Sequence, residues 1–99
     1  MLDLDKSMHN SIKVKALGKE LDVLEPSMDM VMQVSRIERD ITEENANEKR
    51  VETALLFLNH NAQGIEVSRE DVCRLPFEAI SNLIAEVSAM RYQADQDPN

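Results

Sequence analysis

The chain has 99 residues, a net charge of −8 and 42% hydrophobic residues, of which only Phe57, Phe77 and Tyr92 are aromatic. This length and composition predict a single small domain with an aliphatic core. The acidic balance argues against binding to nucleic acid or to anionic membranes, because both partners select a basic face.

Residues 1–11 are polar and weakly patterned, and we expect a flexible arm there. This segment lacks the basic start and apolar run of a signal peptide, and no later stretch approaches the roughly 18 apolar residues of a membrane span. The single cysteine, Cys73, excludes an internal disulfide, which is typical of a reducing compartment. We therefore expect a cytoplasmic protein.

Residues 12–23 alternate between apolar and polar positions, starting with Ile12 and Val14, and the alternation is broken at Gly18. A period of two residues interrupted by glycine predicts a short β-hairpin. A helix is the alternative, since lysine, alanine, leucine and glutamate are good helix formers. An isolated hairpin is marginal in water, so this one would have to pack on helices.

A first helix is predicted over residues 27–41, because Pro26 and Ser27 supply the residue types that open a helix. Its apolar residues recur at intervals of three and four, which matches a helix face that packs on a core. This stripe consists of Met30, Val34, Ile37 and Ile41.

Three further helical segments follow in the predicted order 44–62, 69–75 and 77–93. Ser68 can cap the short second segment, and Pro76 interrupts it and opens the last helix. Residues 94–99 are expected to be a disordered tail. The predicted fold is thus mainly α, a single helical domain over residues 12–93 with three principal helices, a short helical turn and a small N-terminal β-hairpin.

The residues that usually carry catalysis are scattered. His9 and His60 have no cysteine or histidine at ligand spacing, and Gly18 and Gly64 stand alone, so no metal site or phosphate loop is indicated. Cys73 is expected to be a buried structural thiol. We therefore predict a protein that is not an enzyme and that has no catalytic residues, no metal and no cofactor.

Apolar residues left over from the predicted core indicate protein binding. Met28, Val31 and Met32 lie on another side of the first helix from its core stripe, and methionine adapts to varied apolar partners. Alternatively, the hairpin covers this patch. Leu56 and Phe57 likewise lie off the stripe of the second helix, and they form either a second protein-binding face or part of a helix that is buried on several sides.

Surplus apolar faces on a domain of this size also favour self-association. Lys13 and Lys15 would point to the same side of a strand, where lysine discourages unwanted strand pairing.

The order of these parts resembles a known family. A hairpin of the form SIKVKALGKELDVLEPSMDM feeds a helix, a second helix follows, and the segment IEVSREDVCRLPFEAISNLI leads through a capped turn into a last helix. Over residues 12–91 this layout resembles the tail assembly chaperones of long-tailed bacteriophages, which are small acidic proteins. The resemblance is one of layout and contains no diagnostic motif.

The resemblance implies a protein that binds and solubilises the long tape measure protein during tail assembly and that leaves as tail tube subunits arrive. It implies a location in the host cytoplasm and absence from the mature virion. The alternative is a small regulatory or inhibitor module whose acidic surface binds a basic partner protein, in which case binding would be strongly salt-dependent.

Overall fold

The computed structural model describes residues 10–96, which form two strands and four helices. In chain order they are β1 (Ser11–Ala16), β2 (Lys19–Leu24), α1 (Met28–Arg39), α2 (Ala46–Asn59), α3 (Arg69–Cys73) and α4 (Phe77–Gln96). The strands pair in antiparallel fashion into a two-stranded sheet. Helix α2 lies at the centre, since it packs against α1, α3, α4 and β2.

The fold is mixed α/β, so the predicted mainly α class with three principal helices is wrong. The hairpin is an integral part of the domain because Leu21 and Val23 of β2 belong to the same buried core as the helices. The segment predicted to be a helical turn is a fourth α-helix. It is held by a capping box in which Ser68 and Asp71 each bind the other's backbone N–H.

The hairpin turns at Leu17 and Gly18, which both have positive φ angles, of 53° and 78°. A two-residue turn of this kind matches the right-handed twist of the two strands. Alternation then turns Ile12 and Val14 toward the helices and leaves Lys13 exposed to solvent. The helical alternative for residues 12–23 is therefore excluded.

The outer edge of β2 is covered by the chain that follows α2. The N–H of Leu24 donates to the carbonyl of His60 (2.9 Å), and the N–H of Ala62 donates to the carbonyl of Asp22 (2.9 Å). The N–H of Asp22 donates to Oε1 of Gln63, whose Nε2 donates to Oδ2 of Asp22, both at 2.9 Å. These bonds attach the hairpin to the helical part of the domain.

Helix α1 ends at Arg39, two residues before the predicted end. Asn45 organises the turn that follows, because its Nδ2 donates to the carbonyl of Asp40 (3.0 Å) and its Oδ1 accepts the N–H of Thr42 (2.7 Å). Ile41 consequently lies outside the helix and is 47% exposed. It does not belong to the core stripe in which the sequence analysis placed it.

Helix α2 ends at Asn59 and not at residue 62. The side chain of Asn61 stops the helix, because its Nδ2 donates to the carbonyls of Leu58 and Ile65, both at 2.8 Å. Ala62, the last residue of the predicted helix, is exposed in the resulting turn.

The predicted arm and tail lie partly outside the described residues, which exclude 1–9 and 97–99. The carbonyl of Asn10 accepts the N–H of Glu25 (2.9 Å), and Ser11 begins β1, so the last part of the predicted arm belongs to the sheet. At the other end, α4 includes residues 94–96, which were assigned to the tail.

Among residues 10–90, whose burial the structure describes, the core is aliphatic apart from one phenylalanine. Its buried hydrophobic residues are Leu21, Val23, Ala54, Phe57, Leu58, Val67, Val72, Ile80, Leu83, Val87 and Met90. None of these residues comes from α1. This difference between α1 and the other helices determines where the candidate site lies.

Candidate protein-binding surface

Helix α1 is attached to the outside of the domain. Ser27 caps it, with its Oγ accepting the N–H of Met30 at 3.3 Å. Met30 and Val34 pack against the core and are only half-buried, and no residue of α1 is fully buried. Since helices in globular proteins gain most of their stability from burying one face, α1 has an unusually incomplete contact with its own domain.

The side of α1 that faces away from the core carries two methionines. Met28 and Met32 are 72% and 46% exposed, and because they are four residues apart they lie on the same side of the helix. The hairpin therefore does not cover them. We refer to Met28 and Met32 as the methionine face, and it leaves two adaptable apolar side chains available to a partner.

A wide groove separates α1 from α2. Its volume is about 710 Å³, and its apolar residues are Met30, Ile37, Leu55 and Leu56. The polar residues along it are Gln33, Arg36, Glu52, Asn59 and His60. The half-buried Leu56, predicted as a binding residue, thus lies in this groove, which we call the α1–α2 groove.

A second, smaller groove of about 220 Å³ lies on the other side of α1, against α4. Val31 lines it together with Val34, Phe57 and Val87. The predicted binding residues of α1 therefore fall into two sets, with Val31 in this smaller groove and the methionine face on the outside. Helix α1 is therefore bordered by a groove on each side, and the smaller groove also carries polar residues such as Glu38 and Ser88.

Phe57 is a core residue, and its predicted role in protein binding does not fit the structure. Its side chain is only 3% exposed and lies among the buried residues of the core. Helix α2 is surrounded by β2 and three helices, so residues outside its main apolar stripe are buried as well. The helical pattern alone does not show this, and it therefore made Phe57 a candidate binding residue. Of the five predicted binding residues, this is the one that the fold buries, although part of its side chain lines the smaller groove beside α1.

His60 is a groove residue that the sequence analysis did not identify. Its Nδ1 is buried and has no hydrogen-bond partner within the described part of the chain. Its carbonyl accepts the N–H of Leu24, which fixes the position of the residue at the end of α2. An unpaired buried polar atom is costly, so this nitrogen is an unsatisfied group beside the groove. No pattern around His60 in the sequence signals this position, because it results from the turn after α2.

The histidine, cysteine and acidic side chains that could bind a metal or take part in catalysis do not cluster among the described residues. Among residues 10–96, no cluster of three or more histidine, cysteine or acidic side chains could hold a metal ion. Cys73 is exposed at the end of α3, which corrects the expectation of a buried thiol. In the same described range, no helix has the length and hydropathy that crossing a membrane requires.

Comparisons with protein-family models, curated proteins and solved structures found no match to this chain. Its function is therefore inferred from the geometry of α1 and the two grooves beside it.

Proposed function

We propose that the protein is a chaperone that binds apolar helical segments of a larger partner protein on two separate surfaces of α1, the methionine face and the α1–α2 groove. The observation that carries this proposal is that α1 has no buried residue and turns Met28 and Met32 into solvent. A groove between two helices accepts a third helix by the same side-chain packing that joins helices within a domain. The 12 residues of α1 give a surface about 18 Å long, which matches about three turns of a bound helix.

The groove is suited to a partner that is held reversibly. Its lining combines apolar residues with the charged residues Arg36 and Glu52, so a bound helix would contact charged as well as apolar groups. Each copy would then contribute modest affinity, and many copies along one long client would supply the overall strength. The net charge of −8 would keep such a coated assembly in solution through mutual repulsion.

The resemblance to phage tail assembly chaperones supports a specific client. On that reading, the protein binds and solubilises the tape measure protein, self-associates along it and is displaced as tail tube subunits arrive. It acts in the host cytoplasm, is absent from the mature virion and performs no catalysis.

The test is co-expression with the tape measure protein of the same genome, followed by measurement of how much of that client stays in the supernatant after centrifugation. The double variant Met28→Glu with Met32→Glu should lose most of the solubilised client, because two charges replace the apolar contact. Circular dichroism should show an unchanged helical signal, since both residues are exposed.

Phe77→Glu is the matched control. Phe77 is 63% exposed, and its ring stacks on Arg50 away from the α1–α2 groove. Equal loss of client with this variant, or no loss with the methionine variant, would contradict the proposal. If the complex dissociates as the salt concentration is raised but is unaffected by the methionine substitutions, the result would instead support the alternative function as an acidic regulatory module.

A further inference from the structure

The outer edge of β1 is open within the described residues. The sheet has only two strands there, so β1 has a neighbour on one side, whereas the other edge of β2 is covered by residues 60–63. Open edges pair readily with other chains, and most proteins cover or protect them. Among residues 10–96, one edge of the sheet is covered and the other is accessible.

The register shows which backbone groups lie at the open edge. Asp22 and Leu24 bond to the 60–63 segment, so their N–H and carbonyl groups point away from β1. Directly opposite residues of an antiparallel pair point either toward each other or both away. Lys13 lies opposite Asp22, Lys15 opposite Glu20 and Ser11 opposite Leu24. The backbone groups of these three β1 residues therefore project outward from the sheet.

A groove of about 210 Å³ runs beside this edge. It is lined by the consecutive residues 12–16, which include both faces of the strand, so it follows the strand edge itself. Its opposite wall comes mainly from the first half of α4 and from Leu75, two residues before that helix. That wall contains Leu75, Ala79, Asn82, Leu83 and Glu86. A segment added to β1 would thus rest its inner side chains on an apolar floor and expose its outer ones.

The charges along β1 indicate which kind of strand could pair with its open edge. Lys13 and Lys15 are exposed on the outer face, where each has an acidic residue of β2 on one side. On the open side, a neighbouring strand with acidic residues would pair with them, because opposite charges stabilise cross-strand neighbours. A second copy that paired β1 with β1 in antiparallel fashion would place lysines against lysines, which is unfavourable.

We propose that the β1 edge binds an extended segment of a partner protein by strand addition, and that this segment alternates apolar with acidic residues. Backbone hydrogen bonds to Lys13 and Lys15 would provide affinity, and the two ammonium groups would provide specificity. The two lysines would therefore discourage pairing with most strands but favour pairing with an acidic strand. This surface shares no lining residue with the α1–α2 groove.

The probe is a fluorescein-labelled peptide in which valine alternates with glutamate, and binding to the full chain is followed by fluorescence anisotropy. Two further peptides carry N-methyl groups on alternate residues, one set on the odd and one on the even positions. Alternate N–H groups of an added strand face β1, so only one of the two methylated sets removes the N–H groups that bond to β1. The peptide with that set should bind about tenfold or more weakly than the other methylated peptide. Equal binding of both methylated peptides would overturn strand addition.

The charge element is tested separately with the double variant Lys13→Glu with Lys15→Glu. It should bind the glutamate peptide about tenfold more weakly and should gain binding to a peptide with lysine in place of glutamate. Both side chains are exposed, and circular dichroism verifies the fold. Unchanged preference between the two peptides would overturn the proposed specificity. The Met28→Glu and Met32→Glu variant should bind the glutamate peptide normally, which separates this surface from the proposed chaperone site.

Discussion

Asn61 and Ile65 are joined by two hydrogen bonds that imitate backbone pairing. The N–H of Ile65 donates to Oδ1 of Asn61 at 2.9 Å, and Nδ2 of Asn61 donates to the carbonyl of Ile65 at 2.8 Å. Asn61 is buried and also forms a bridge with Val23 of β2. One amide side chain thus stops α2, closes the turn after it and holds the chain that covers the sheet edge.

Asn61→Ala should lower the free energy of unfolding by about 1–3 kcal/mol, because it leaves buried backbone groups without partners. Urea unfolding followed by circular dichroism measures the change. Asn59→Ala is the matched control, since Asn59 makes a similar reciprocal pair with Val67 (2.7 and 3.0 Å), whereas the Asn59 residue itself is exposed and Asn61 is buried. An equal loss of unfolding free energy in both variants would show that the burial of Asn61 adds nothing to the stabilisation.

Amide hydrogen exchange should distinguish α1 from α2. Helix α1 has no buried residue and packs mainly on one neighbour, so its amides should exchange through local openings of low free energy. The amides of residues 53–58 in α2 should exchange only by global unfolding, because buried residues surround them. Exchange measured by NMR as a function of urea tests this order. Equal protection of the two helices would contradict the view of α1 as a loosely attached element.

Leu17→Asn should stabilise the protein by about 0.5–1 kcal/mol. Leu17 occupies the left-handed region at a φ of 53°, where leucine is strained and asparagine is tolerated, and the substitution creates the Asn-Gly pair preferred in such turns. Thermal and urea unfolding measure the gain. Gly18→Ala is the opposite control, because a φ of 78° penalises any side chain, and it should destabilise the protein. A loss on Leu17→Asn would show that the apolar contacts of Leu17 outweigh its backbone strain.

Asp71 should make stability depend on acid pH. The backbone N–H of Ser68 hydrogen-bonds to Oδ2 of Asp71 (3.2 Å) and, together with the Ser68 side chain, lowers the pKa of Asp71 below its ordinary value. A carboxylate whose pKa is lower in the folded chain stabilises it above the unfolded pKa of about 4, and this contribution is lost as pH falls through the folded pKa. Asp71→Asn should therefore be less stable than the parent at neutral pH.

The difference between Asp71→Asn and the parent should shrink as pH falls below about 4, since the parent then becomes protonated at this site. Urea unfolding at neutral and acidic pH measures it. A difference that stays constant with pH would mean that hydrogen-bond geometry, and not the charge of Asp71, provides the stabilisation.

Local patterns in the sequence predicted several elements for clear physical reasons. The alternation of Ile12 and Val14 with polar neighbours predicts a strand, because side chains of a strand alternate between its faces. Ser68 and Pro76 predict helix starts, since both act on the chain within one turn. The exposure of Met28 and Met32 was also anticipated as one of two possibilities, and the packing of the hairpin elsewhere decided between them.

What the local patterns could not predict was which surfaces meet. Phe57 lies off its helix stripe and is buried all the same, whereas Ile41 continues the stripe of α1 and is exposed, because burial depends on the number of neighbours an element acquires in the fold. The side-chain bonds of Asn45 and Asn61 shorten two helices, and their partners were identified only once the turns were formed.

By itself, the sequence determined the acidic charge, the aliphatic composition of the core and the starts of α1, α3 and α4, since each depends on composition or on residues within one turn of one another, and it favoured the hairpin over a helix. Tertiary structure alone decided that the hairpin shares the core and makes the fold mixed α/β. It also decided that α1 stays at the surface beside the α1–α2 groove and that the β1 edge remains open within the described residues. These features depend on contacts between residues far apart in the chain, which no local pattern encodes.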